Sequence, residues 1–292
     1  MEKRKRRTGG RPGGRRRNLL ILELLLLLLA SFAWQRLHAE HAGEGRTELS
    51  EEAEYTLPSL PAGDSGQTGE SEGPLSSERR SAAALPQREE DAGSFRYEEL
   101  PAYAGLPSAE VNGGLPYFAQ EDLLPSSYEH YSPLDSLGRC GPAMANVGRD
   151  LMPDEPRGPI GMIKPTGWHT VRYDDLIGDR YLYNRCHLLA YQLTGENANP
   201  QNLITGTRYM NVEGMLPYER RISDYVKSSG RHVLFRVTPV FLGEELVARG
   251  VLMEAYSSED EGEGVCFNAF VYNVQPGIII DYATGDSRRA EG

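Results

Sequence analysis

Cysteine is scarce in this chain of 292 residues, tryptophan scarcer, and positive charge is outweighed. Its three cysteines, Cys140, Cys186 and Cys266, are too few and too scattered for a zinc motif. In an exported protein one pair could close a disulfide and leave an odd thiol, but the spacing does not choose the pair. A P-loop, a dinucleotide fingerprint and a Gly-x-Ser-x-Gly elbow are all absent. The chain has 31 Lys and Arg against 42 Asp and Glu, and without residues 1–17 the balance is 22 against 41. Such an acidic surface disfavours broad attraction to nucleic acid. Part of the excess lies in residues 37–94 and in the SSEDEGEG stretch at 257–264, which leaves room for a local basic groove.

Long apolar runs are also missing, with one exception. Residues 1–17 hold nine Lys or Arg against the single acid Glu2, and residues 19–34 follow as a leucine tract interrupted by Glu23. That order fits a signal peptide, or a short signal anchor whose basic end stays in the cytoplasm; about sixteen residues is marginal for a span of about twenty. We read residues 1–36 as this basic head and anchor, with cleavage near Ala39 or Ala42, or within Ala30 to Ala33, as the other outcome. From residue 37 to 94 the composition turns to Glu, Ser, Gly, Pro and Ala. Such a segment buries too little apolar surface to offset its chain entropy, and reads as a disordered tether.

Residues 95–292 are expected to form one domain, large enough for a sizeable core. The β-pattern is clearest at 231–242 and recurs at 265–274 and 277–282. A helix started by Pro217 should run to about Ser228 with Ile222, Tyr225 and Val226 on one side. Residues 181–187 suggest a strand that delivers His187 to a loop, and residues 205–215 have room for about three helical turns. These elements together indicate an α+β fold with a central antiparallel sheet.

The chemistry-bearing residues cluster at 181–219. Arg185 and His187 close the strand-like run, followed by Asn202 and Asn211. Phosphodiester hydrolysis needs a base for the attacking water and a cation to absorb charge on the phosphate oxygens. A neutral imidazole suits the first task and a carboxamide oxygen can hold a hard cation such as Mg²⁺. Cys186 beside His187 does not make a thiol protease, because neighbours on a strand point to opposite faces.

The order NRCH, NPQN, RYMN, together with LDSLGRCGPAMANVGRDLMP, GMIKPTGW, VLFRVTPVF and IIIDYATGDS, resembles the DRGH-type DNA/RNA non-specific endonucleases over residues 131–287. The resemblance implies a ββα-metal (His–Me finger) unit, with His187 as general base and Asn211 as ligand of Mg²⁺ or Mn²⁺. It also implies that Asn202 supports the site and that Glu219 orients a metal-bound water; Arg185 is counted with the catalytic residues, and a nearby Arg is expected to neutralise the phosphate. Two positions depart from the pattern: Asn184 stands where Asp is usual and Cys186 where Gly is usual. From the residues alone, Asn202 could equally shape an Asn-Pro turn, and Glu219 could equally be a favoured carboxylate in a first helical turn. Lys164, Arg172, Arg180 and Arg208 are candidates to line a substrate groove, with Trp168 or Tyr209 as a stacking surface.

The expected function is an extracytoplasmic, metal-dependent endonuclease acting on DNA and also RNA, leaving 5′-phosphate ends. Its partners would be nucleic acid and, through the head, a membrane; no obligate protein partner is evident. The alternative is a catalytically silent surface domain that binds nucleic acid or a protein. The basic head makes a topological prediction: protease added to intact cells should release an active fragment beginning within residues 40–95, because disordered tethers are cut before packed domains. Activity that stays protected until the cells are broken would reverse the orientation, and a mature chain already starting near residues 39–43 in the medium would replace anchor by cleaved signal.

Overall fold

The computed structural model describes residues 85–86 and 93–291, so the head, the leucine tract and nearly all of the tether expected at residues 1–94 lie outside the described residues. The central element is a six-stranded antiparallel sheet. Its strands in chain order are β1 (Ser108–Glu110), β2 (Tyr128–Tyr131), β3 (Ala143–Val147), β6 (Val233–Val240), β7 (Gly250–Ser257) and β8 (Cys266–Tyr272), arranged β1-β8-β7-β6-β3-β2. Between β3 and β6 the chain makes a separate hairpin from β4 (Tyr183–His187) and β5 (Leu203–Thr207), with the one-turn helix α1 (Tyr191–Thr194) in the connection. A π-helical turn (Met210–Met215) then runs into helix α2 (Leu216–Ser229), and a small hairpin of β9 (Ile278–Ile280) and β10 (Ser287–Arg289) ends the fold.

The sheet has both faces covered, which explains its composition. On one face Ala145, Phe235, Val237, Met253 and Val271 pack against Cys186, Leu188, Leu193, Met210, Ile222 and Val226 of the hairpin and α2. On the other, Leu234 and Tyr256 meet Phe118, while Leu252, Phe270 and Tyr272 meet Phe95, Tyr97, Leu100 and Tyr103. Every residue of β7 is therefore buried, including Glu254, whose carboxylate accepts from the Arg236 guanidinium (2.8 and 3.0 Å) and from the Tyr117 N–H (2.8 Å). A charge taken from water is tolerated only when paired and hydrogen-bonded, and here the pair also pins the 117–119 segment.

Helix α2 follows its sequence signals. Pro217 lies at the start of the α-helical segment, just after the π turn has already broken the i→i−4 ladder, and Gly230 ends the helix at φ 70, its N–H closing on the Val226 carbonyl. Ile222 and Val226 are buried and Tyr225 half-buried, as the 3.6-residue period requires. The expected helix over 205–215 is corrected at its start: strand β5 continues to Thr207 and helical geometry begins at Arg208. Thr205, Gly206 and Thr207 are paired with Arg185, Asn184 and Tyr183, so ladder bonding overrides the local pattern there. All three cysteines are unbonded.

The departure at Cys186 has a packing explanation. Gly206, diagonally across the hairpin, has no Cβ, and a Cβ there would collide with Cys186 Sγ and the Met210 methyl. The thiol fills the space this glycine leaves. Gly206→Ala should therefore lower unfolding free energy by about 1–3 kcal/mol, the usual cost of overpacking, and the same change in a Cys186→Gly background should cost less. Denaturant titration of the four proteins checks this; equal costs in both backgrounds would contradict it.

Candidate active site

His187 is the last residue of β4 and only 6 % exposed. Strand alternation puts Tyr183, Arg185 and His187 on one face and Asn184 and Cys186 on the other. Both imidazole nitrogens are engaged: Nε2 with the Asn197 carbonyl (2.8 Å) and Nδ1 with Arg157 Nη2 (2.8 Å). A guanidinium only donates, so Nδ1 accepts and the neutral ring donates Nε2–H to Asn197. Burial, reinforced by the Arg157 cation, pushes the imidazole pKa down to about 4. The ring is thus a neutral base with its lone pair directed at the place an arginine now occupies.

Glu219 is buried as well, in α2, and burial pushes its carboxyl up to about 8 against the opposing pull of Arg157, Gln192 and Arg220. Arg157 therefore lies between His187 and Glu219 electrostatically, and its own pKa is lowered by burial. Asn211 stands in the π turn, half-buried, eight residues before Glu219. In a regular α-helix eight residues make about 2.2 turns and would put the two side chains on different faces. The π turn takes up one extra residue, so the separation behaves as about seven α-helical residues, close to two full turns. Asn211 and Glu219 consequently share a face. Gly214 in the same turn lets the helix approach β8 closely, since a Cβ there would strike Val271.

Asn202, fully buried, braces the chain just beyond His187: Oδ1 accepts from Leu189 N–H (2.8 Å) and Nδ2 donates to Leu189 O (2.9 Å). Arg185 donates through Nε to Ile163 O (2.6 Å) and through Nη2 to Gly161 O (2.9 Å), with its guanidinium 4.0 Å above the Trp168 ring. It grips a loop, and one face of Trp168 is already covered by it. Asn184 lies on the opposite face of the strand, and the orienting contacts of Arg185 and His187 come from residues 161–163 and 197 in its place.

Among the groove candidates, Arg172 is paired with Asp174 and Arg208 with Asp179, while Lys164 and Arg180 are exposed. Tyr209 turns its hydroxyl to Gly105 O and its ring edge to Tyr103. Sequence reasoning missed Arg157 and Asn197. Arg157 sits between Pro156 and Gly158 in a segment with no periodicity, and Asn197 contributes through its backbone carbonyl, which no side-chain pattern reveals. Charge is polarised toward this region: residues 156–222 carry eight Lys and Arg against six Asp and Glu, and the remainder of 93–292 carries nine against twenty-one.

A hairpin that ends in a histidine, followed by a helix presenting an asparagine and packed on an antiparallel sheet, defines a ββα-metal nuclease architecture. Residues 121–259 match the family model described as DNA/RNA non-specific endonuclease. Among solved structures the chain is similar to NucA from Streptococcus agalactiae with no metal bound, at 26 % identity and TM-score 0.58, covering 66 % of this chain and 92 % of that one. The magnesium-bound form of NucA gives 25 % identity and TM-score 0.56, covering 64 % and 91 %. A curated deoxyribonuclease of Streptococcus dysgalactiae subsp. equisimilis is 33 % identical over 111 residues, which is 36 % of this chain. The match spans about a third (32 %) of that relative's length.

The His187 environment sets a pH dependence of stability. Its folded-state pKa of about 4 lies below the ordinary 6.5, so the unfolded chain binds the extra proton first as pH falls. The stability this buried neutral ring contributes is present above pH 6.5, is lost between about 6.5 and 4, and amounts to about 3 kcal/mol at most. Glu219 acts in the opposite sense, its contribution being lost as pH rises toward 8. Thermal melts should thus show the wild type losing more stability than His187→Gln between pH 6.5 and 4; parallel curves would contradict the buried neutral state.

Proposed function

We propose that the protein is an extracytoplasmic, Mg²⁺-dependent, sequence-non-specific endonuclease that hydrolyses DNA, and RNA as well, to 5′-phosphate ends. The observation that carries this reading is the neutral, buried His187, with one nitrogen tied to Asn197 and the other facing the Arg157 guanidinium. An arginine within hydrogen-bond reach of a neutral base suits a phosphate that must lie beside that base.

The residues fit a hard divalent cation. Asn211 and Glu219 offer oxygen donors on one helix face, and the raised carboxyl pKa of Glu219 is the signature of an oxygen held away from water without full charge compensation. Among the described residues no group of three His, Cys, Asp or Glu could hold a metal. The few protein oxygens therefore suit Mg²⁺, which keeps several waters and binds with substrate phosphate, better than zinc with its nitrogen and sulfur ligands. Bound there, the cation would supply charge stabilisation for the phosphate and the leaving 3′ oxygen. The magnesium-bound NucA structure supports the same choice.

In this mechanism Arg157 transfers its hydrogen bond from the imidazole to a phosphate oxygen. The exposed lone pair of His187 takes a proton from the attacking water, while Asn197 holds the ring and stabilises the imidazolium that forms. Asn202 keeps the turn after His187 in place, and burial of the site excludes bulk water. The acidic balance of the rest of the domain favours weak holding and fast release of the polyanion.

Loss of supercoiled plasmid DNA with the full-length chain, with and without Mg²⁺, tests the reading. His187→Ala should lower turnover about 10²–10⁴-fold while the fold is retained. Asn211→Ala should raise the Mg²⁺ concentration needed for half-maximal rate, whereas His187→Ala should leave metal affinity largely intact. Absence of Mg²⁺-dependent cleavage by the wild type would instead leave a silent nucleic-acid-binding domain, and undiminished cleavage by a folded His187→Ala variant would remove the base.

A further inference from the structure

The segment 157–168 is fastened over the catalytic hairpin at more points than a connection requires. Arg157 reaches His187 at one end, and at the other Thr166 O accepts from the Thr205 hydroxyl (2.8 Å) while its own hydroxyl donates to Leu246 O (2.6 Å). Between them the chain makes a tight turn, closed by Ile163 N–H to Ile160 O (3.0 Å), with Gly161 and Met162 at its corner. Arg185 grips the carbonyls on both sides of Met162, those of Gly161 and Ile163, and is itself backed by the Trp168 ring.

The product of this bracing is a rigid tip that carries an apolar side chain into solvent. Met162 is 68 % exposed, while the neighbouring Ile163 is half-buried. A single exposed apolar residue is ordinary on a protein surface. A bidentate arginine holding the two carbonyls that flank it is not a general requirement of surface loops. Arg185 and His187 also share one face of β4, so the tip stands on the same side of the hairpin as the imidazole. Exposed Lys164 follows Met162 two residues on, where it can meet backbone phosphates.

We infer that Met162 is an apolar wedge that enters the base stack of a duplex beside the phosphate presented to His187 and Arg157, with Arg185 as the positioning residue that fixes the tip. This rests on the nuclease reading above and deepens it. A duplex is stiff, and carrying one phosphate down to a buried imidazole requires local deformation. Apolar side chains inserted between base steps supply it by partly unstacking them, and they do so without reading the hydrogen-bonding edges. Single strands need no such wedge, so Met162 sets the preference for duplex over single-stranded substrate.

The test uses the full-length chain in Mg²⁺. A short duplex carrying 2-aminopurine at alternate steps should brighten on binding His187→Ala, stay dark with His187→Ala/Met162→Gln, and brighten again with His187→Ala/Met162→Leu. In the active protein Met162→Gln should lower the ratio of duplex to single-strand kcat/KM about tenfold, the scale of one lost stacking contact. Arg185→Lys should lower the same ratio, because a compact ammonium does not reproduce the planar two-carbonyl grip. A merely structural role for either residue would reduce both substrates together and leave the ratio in place. Equal fluorescence with His187→Ala and His187→Ala/Met162→Gln, or an unchanged ratio in Met162→Gln, overturns the wedge while the nuclease reading stands. A wild-type chain that cuts neither duplex nor single strands overturns both.

Discussion

A two-stranded hairpin of five residues per strand is at best marginally stable by itself, and this one carries the candidate base at its end. Its outward backbone groups must be satisfied by something other than a third strand. Asn273 does much of this, accepting from Thr207 N–H (2.8 Å) and donating to Thr205 O (3.1 Å) and Ala248 O (2.9 Å), so that one side chain ties β5 to the end of β8 and to the chain before β7. The Thr207 hydroxyl adds a bond to Val274 O (2.6 Å), and Leu188 N–H closes on Asn202 O (2.8 Å). The large sheet thus serves as a wall on which a small and otherwise labile hairpin is hung. His187 keeps its position because its strand is held from both sides.

The same fastening explains how titratable groups remain buried beside one another. His187, Arg157 and Glu219 are each withdrawn from water, and each is pushed toward its neutral form. A rigid frame can hold this arrangement where a mobile loop would let water in and return the pKa values to normal. Under the proposed reading the strain is functional: an arriving phosphate and a divalent cation bring opposite charges to Arg157 and Glu219 respectively, so the groups that cost most without substrate gain most with it. The π turn belongs to this design, since it alone aligns Asn211 with Glu219 across eight residues.

Much of the fold was legible where local signals and tertiary packing agree. Pro217 and Gly230 bracket α2, and alternation in residues 231–242 marks β6 because its half-buried Arg236, Thr238 and Val240 interrupt a buried series. Strand β7 was not legible, since both of its faces are covered and GVLMEAYS shows neither alternation nor an uninterrupted apolar run. Strand β3 hides in AMANV, whose small residues are chosen by packing under the hairpin rather than by β-propensity. In the site, His187, Asn202, Asn211 and Glu219 were readable as residue types at suggestive spacing. The grip of Arg185 on residues 161–163 and the carbonyl of Asn197 were not, because a backbone acceptor has no letter in the sequence.

Charge distribution connects the frame to its proposed work. A domain with 27 Asp and Glu against 17 Lys and Arg repels a polyanion over most of its surface, yet the segment 156–222 has a small excess of positive charge. With a Debye length of about 8 Å at physiological salt, the repulsive surroundings act mainly on strands that stray beyond the hairpin and its covering loop. In the proposed function this distribution would confine nucleic acid to the one region where His187 can be reached, so that long tracts would not be retained elsewhere. Under the proposed reading, affinity has to come from a few short-range contacts, and the weight of substrate binding would fall on Arg157, Lys164 and the braced tip between them.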